Sequence, residues 1–166
     1  MKTVGELVVY GASGVCRIED VREENFSGSA RRYYILHPMA EQGNDRIFIP
    51  VDNEQLVSGM KDVLQPQEVL ALVREAQPFS EAEWPADGRS RSKLSRDILA
   101  AGDREKMVRL IKTVYGRPKA PSSSEETVCN RAAAMLHREF SLVLELEKAD
   151  VIPFLMGTCT PRVKGE

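Results

Sequence analysis

The spacing of apolar residues changes near residue 65. Before that point they come in short β-branched or aromatic runs closed by turn residues. Glu6-Leu7-Val8-Val9-Tyr10 ends at Gly11-Ala12-Ser13-Gly14, and Val15 to Val21 alternates only in part. Asn25-Phe26-Ser27-Gly28-Ser29 supplies a turn before Arg32-Tyr33-Tyr34-Ile35-Leu36. Gln42-Gly43-Asn44-Asp45 supplies another before Arg46-Ile47-Phe48-Ile49-Pro50-Val51. Closely spaced strands with such turns predict a small antiparallel sheet or open barrel. Pro50 lacks an amide proton for a ladder and belongs at a strand end or sheet edge.

Beyond Pro66 the apolar residues recur three or four apart, the helical period. Val69, Leu70, Leu72 and Val73 form a short stripe opened by Pro66, a favourable first helical residue. Pro78, Pro85 and Gly88 then mark a linker. A helix from Ser92 to Ala101 should stop at Gly102, and Asp103 should cap one carrying Met107, Leu110, Ile111 and Val114. Ser122 or Ser123 with Glu125 or Glu126 forms a capping box. The stripe from Val128 to Leu144 predicts the longest helix, near 25 residues. The expected architecture is α+β: a small antiparallel β-module at 1–64, a short helix and linker at 65–90, a compact all-helical domain at 91–156 and a frayed tail at 157–166.

Composition narrows the classes of function. The chain has 166 residues, 42% hydrophobic and 29% charged, a balance typical of globular domains. No run approaches the roughly 20 apolar residues of a membrane span, and the first residues lack an apolar signal region, so a cytoplasmic protein is expected. Cys16, Cys129 and Cys159 are odd in number and far apart, which argues against a disulfide framework or zinc site. His37 and His137 have no metal-spaced partner and are read as structural or exposed. Gly11 and Gly14 join two strands and lack the helix of a phosphate loop. No nucleophile elbow, P-loop or zincin motif occurs, so no enzymatic activity, cofactor, metal or small-molecule substrate is expected.

The net charge of −2 conceals a division. Residues 1–77 carry 8 Lys+Arg against 12 Asp+Glu, whereas residues 89–119 carry 10 against 3. An acidic half followed by a basic segment suggests two surfaces with two partners.

The segment from Val4 to Val15 resembles the opening of the CarD family, V-G-D-x-V-V-Y followed after a short turn by H-G-V/A. Tyr33-Tyr34-Ile35-Leu36 is similar to the third strand of that family, and Ile47-Phe48-Ile49-Pro50-Val51-Asp52-Asn53 to its V-x-V-P-x-D/E-N signature. These motifs resemble the Tudor-like module shared with transcription-repair coupling factors. The later helical pattern, from Leu94 through Gly102-Asp103 to the Ser-x-x-Glu helix start, resembles the helical domain of CarD proteins and extends the likeness over about residues 3–148.

The resemblance implies a transcription regulator. Its β-module would bind the RNA polymerase β subunit through Glu24, Phe26 and Phe48, although Glu24 and Phe48 stand where some members carry arginine. Its helical domain would contact promoter DNA at the upstream edge of the transcription bubble, weakly and without sequence preference when alone, and modulate open-complex stability. Arg89, Arg91, Lys93 and Arg96 would meet phosphates, with Arg109, Lys112, Arg117 and Arg131 as weaker additions. Trp84, the one tryptophan, stands four residues before the position of a family wedge. It is either that wedge or a residue packed at a domain interface. The alternative function is a protein–protein adaptor that uses the β-module without touching DNA.

Overall fold

The computed structural model describes residues 1–40 and 44–166, so Gln42 and Gly43 of the second expected turn lie outside the described residues. The described chain divides into two units, Met1–Val63 and Leu64–Glu166.

In the first unit, the β-branched runs form β1 (Leu7–Tyr10), β2 (Val15–Asn25), β3 (Ala30–Pro38), β4 (Ile47–Pro50) and β5 (Met60–Asp62), with the short helix α1 (Glu54–Ser58) before β5. All pairings are antiparallel, in the order β4-β3-β2-β1-β5. β4 is therefore an edge, and Pro50 sits at its end, where a missing amide proton costs no ladder bond. Val8, Cys16, Ile18, Tyr34, Leu36, Ile49 and Met60 make the core.

β2 runs farther than its partial alternation suggests, because it contains a bulge. Ile18 pairs with Leu36, but Asp20 pairs with Ile35, leaving Glu19 as an extra residue. The extra residue reverses the parity of everything after it. Ile18 and Val21 both reach the core side, while Asp20, Arg22 and Glu24 turn to the opposite face. The sequence pattern also misses β5, which pairs with β1. It is three residues long and reaches its place only because α1, capped by Asn53 Oδ1 accepting from the Leu56 amide at 3.1 Å, reverses the chain.

The second unit contains α2 (Pro66–Glu75), α3 (Gly88–Ala101), α4 (Arg104–Tyr115), α5 (Ser123–Phe140) and α6 (Val151–Leu155), with the two-residue strands β6 (Leu144–Glu145) and β7 (Arg162–Val163). The end of α3 and the caps of α4 and α5 follow the sequence chemistry, whereas α3 starts at Gly88, four residues before the expected Ser92 and inside the expected linker, because Asp87 caps it. Asp87 and Asp103 accept from Ser90 and Lys106 amides, Gly102 ends α3 at φ +64°, and Ser122 with Glu125 forms the capping box of α5. The core gathers Val69, Val108, Ile111, Leu136, Phe140 and Leu144.

Three features depart from the expected organisation. First, α2 is not a connector. Val69 and Val73 are buried in the helical core, and the Lys112 ammonium donates to the carbonyls of Val73, in the last turn of α2, and of its C-cap Ala76, the latter at 2.6 Å. A cation suits the negative end of a helix. Second, α5 has 18 residues instead of about 25. Ser141 ends it, and Leu144, expected on its stripe, lies instead in β6. Third, residues 162–163 are no frayed tail: β7 pairs with β6, and the Lys164 amide donates to the Val143 carbonyl at 2.9 Å. His137 has a structural task, since its Nε2 lies 2.9 Å from the Leu146 carbonyl oxygen.

One buried charge ties distant parts of this unit. Glu139 is only 3% exposed. Its carboxylate accepts from Arg104 Nε at 2.6 Å and from the Leu64 amide at 3.1 Å. Removing one partner of a buried pair strands the other and typically costs about 3 kcal/mol or more. Glu139→Ala should lower the stability of the helical unit by about that amount, read from urea unfolding followed by Trp84 fluorescence. Glu139→Gln keeps an acceptor and should lose less. An Ala variant within about 0.5 kcal/mol of the parent, the range of ordinary surface changes, contradicts this account.

Candidate functional site

The candidate residues of the β-module converge on one face. The register places Tyr33, Ile35 and Phe48 on the side opposite the core, together with the residues that the bulge redirects. Phe26 follows β2 at its end and is 59% exposed. Three rings meet there edge to face: Phe26 lies 5.3 Å from Tyr33 and 5.0 Å from Phe48, and Tyr33 lies 6.1 Å from Phe48. Such geometry sets the positive edge of one ring against the negative face of the next. Tyr33, absent from the sequence-derived set, is the buried base of this trio. Alternation in β3 could have identified it, since Tyr33 must face away from the core residue Tyr34.

Glu24 is on the same face but is not a free carboxylate. It accepts from Arg22 Nε at 2.7 Å, and Arg22 also reaches Asp20 at 3.2 Å. The hydrogen bond from Arg22 to Glu24, followed by that to Asp20, raises the Arg22 pKa above its usual value. Arg31, paired across the ladder from Glu24, bonds Asp52 at 2.8 Å and holds that carboxyl below its usual range. Aromatic surface, edge strand and alternating charges thus adjoin one another.

In the helical unit, Trp84 is half-buried and is not a bare aromatic in a polar stretch. Ser80 and Glu83 bond reciprocally, the Ser80 amide to Glu83 Oε1 at 3.1 Å and the Glu83 amide to Ser80 Oγ at 3.3 Å. Phe79 precedes this box and Trp84 follows it, and their rings stack at 5.9 Å with planes 13° apart. This is a hydrophobic staple around a capping box, closed here in a single turn. The signature Phe-Ser-Glu-Ala-Glu-Trp was legible in the sequence and gives Trp84 a local packing partner. Arg109 completes the turn. Its guanidinium carbon lies 4.4 Å from the Phe79 ring centre, and Nη2 grips Glu83 at 2.8 and 2.9 Å. The Ser80 backbone and then Arg109 hold Glu83 below the usual carboxylate pKa.

The four basic candidates of α3 divide into two kinds. Arg89, Lys93 and Arg96 stand at helical spacings of four and three on one exposed stripe. Lys93 shares its charge with Asp97 at 3.0 Å, an exposed pair of little energetic weight. Arg91 faces elsewhere: its Nε donates to the Pro85 carbonyl at 2.7 Å and its Nη2 to the Ala86 carbonyl at 2.5 Å. It fixes the entry to α3. Of the weaker candidates, Arg109 and Lys112 have the structural tasks given above, and Arg117 pairs with Glu125 at 2.9 Å, whereas Arg131 is exposed.

Residues 3–61 match the family model for the CarD-like/TRCF RID domain. No curated protein sequence matches the chain. No helix among the described residues is long and apolar enough to cross a membrane.

Two outcomes test this geometry. Phe79→Ala removes the stacking partner of the single tryptophan, so its fluorescence emission should move to longer wavelength without loss of helical circular dichroism. An unchanged spectrum would refute the staple. Separately, Arg117 above all, with the Ser122 bonds, outweighs the opposing desolvation and holds the Glu125 carboxyl at about 2, below its usual 4.5. A depressed pKa stabilises the fold above the unfolded value and is lost as pH falls. Stability should therefore decline between pH 4.5 and about 2, and Glu125→Gln should flatten that decline in an acid titration of the melting temperature.

Proposed function

We propose, from the premise that this chain is a CarD-like family protein, that it regulates transcription by two contacts. The matched family is a polymerase-interacting module with no enzymatic role, which gives the chain a transcription-related function. In the first contact, the β-module, read as Tudor-like, docks on the RNA polymerase β subunit. The observation that carries this reading is the aromatic trio beside an edge strand. The outer peptide groups of an edge strand can pair with a strand of another protein, and neighbouring side chains then provide selectivity. Phe48 lies in that strand, and Phe26 is an exposed ring packed on it. Glu24, held by Arg22, sets the charge at the border of the surface.

In the second contact, the helical unit meets promoter DNA at the upstream edge of the transcription bubble and shifts open-complex stability. The exposed stripe of Arg89, Lys93 and Arg96 would face phosphates. Arg91 acts by holding the loop that leads from Trp84 to α3. Attachment to polymerase raises the local DNA concentration, so a few phosphate contacts suffice.

The stacked, half-buried state of Trp84 favours a second reading, an adaptor that does not touch DNA. A ring already packed on Phe79 offers less surface for wedging between base pairs.

The two contacts separate by mutation. Phe48→Ala should weaken binding to an isolated β-subunit lobe roughly tenfold, about 1.4 kcal/mol. Trp84→Ala should shorten the lifetime of a promoter open complex while leaving β-subunit binding unchanged. If β-subunit affinity is indifferent to Phe48, the docking surface is misassigned. If lifetime is indifferent both to Trp84→Ala and to charge reversal at Arg89 and Arg96, the adaptor reading prevails.

A further inference from the structure

The helical unit contains a cleft of about 350 Å³ bounded by Trp84, α3, α4 and the first turns of α5. That volume falls within the roughly 300–1,000 Å³ of small-molecule sites. Leu110, Val114 and Val128 form apolar walls. Phe79 covers part of the indole and is not a wall of the cleft, so Trp84 presents its remaining surface to it. The charged side chains of the lining are Arg91, Arg96, Arg117 and Lys119 against the single carboxylate of Glu125. That carboxylate is taken by Arg117 and by the Ser122 amide at 2.9 Å. Arg91 is likewise bonded to loop carbonyls, whereas Arg96 and Lys119 are exposed at the rim.

A cleft with apolar walls, an aromatic plate and a cationic rim selects a planar aromatic group that carries a negative charge. Low-dielectric walls focus the field of the cations onto such a ligand. Bases stack on aromatic side chains with little regard for sequence, and phosphates are met by lysine and arginine. We propose that this cleft binds one nucleotide, with the base against Trp84 and the phosphate between Arg96 and Lys119.

The nucleotide has two sources with the same chemistry. It is either a free nucleoside monophosphate or an unpaired nucleotide of a melted strand. In the second case the proposal rests on the promoter reading, and in the first it stands without it.

The single tryptophan supplies the measurement. The full chain is titrated with adenosine monophosphate, with a short single-stranded oligodeoxynucleotide, with the matching duplex and with inorganic phosphate. Saturable quenching by the mononucleotide, the single strand or both is expected, with the duplex and inorganic phosphate much weaker. Val128→Phe, which fills the cleft, and Lys119→Glu, which reverses the rim charge at an exposed position, should each weaken that response at least tenfold. Lys119→Glu keeps the test decisive if Val128→Phe does not fold. Quenching by the single strand alone identifies melted DNA as the source, and quenching by the mononucleotide a free ligand. Absence of saturable quenching by both, or quenching that Lys119→Glu leaves intact, overturns the proposal. Arg89→Glu lies outside the cleft. Indifference of polymerase-bound fork DNA to that variant, with mononucleotide quenching retained, counts against the promoter reading alone.

Discussion

Between Ile18 and Asp20 the β2–β3 ladder slips by one residue, and the charged part of the β-module's outer surface follows from that slip. Side chains alternate strictly along a strand, so without an extra residue Glu24 and Arg22 would share the side of Cys16 and Ile18, which is the core. With Glu19 inserted, they join Tyr33 and Phe48 on the far face. The bulge also places Glu19 within reach of Arg46, whose Nη2 donates to it at 3.1 Å. That ion pair lowers the Glu19 carboxyl pKa and links the middle of β2 to the approach of β4. A backbone irregularity thus creates a surface on which charge and aromatic rings lie side by side.

The helical unit is organised by polar groups placed where helices begin and end. Lys112 meets the carbonyl end of α2, Glu139 receives the amide of Leu64 together with Arg104, and Thr113 Oγ1 accepts from the Phe79 amide at 2.8 Å. Each joins chain segments more than thirty residues apart. Apolar stripes specify that these helices pack, but they are tolerant of sliding. Directional bonds at the helix ends remove that freedom, and Thr113 and Arg91 tie the segment before Gly88 to α4 and α3.

Much of this was readable from residue order. The period change near Pro66, the caps Asp103, Gly102 and Ser122, and the edge position of Pro50 all depend on neighbours within four residues. What escaped depended on distance or on parity. Partial alternation from Val15 to Val21 carried the bulge, but a broken pattern does not say which residue is extra. Nothing local announces that Glu139 will meet Arg104, or that Arg109 will hold a turn 26 residues away. Trp84 is an instructive case between these. Its staple was spelled out, yet the single turn that it closes is too short to be found by a helical period. The candidate site accordingly changed in membership: Tyr33 and Phe79 entered as supports, and Arg91 moved from an open cation to a bonded one.

The bonding of Arg91 bears on how the protein behaves as ionic strength rises. Contacts between exposed cations and phosphates release counterions and fade steeply with added salt. Arg91 instead donates to two neutral carbonyls, one bond partly buried, so dissolved ions have no opposing charge to screen there. The approach to α3 therefore keeps its shape in brine that would strip a polyanion from Arg89 and Arg96. Dissociation in high salt would then be a loss of attraction from an intact surface, reversible by dilution without any refolding.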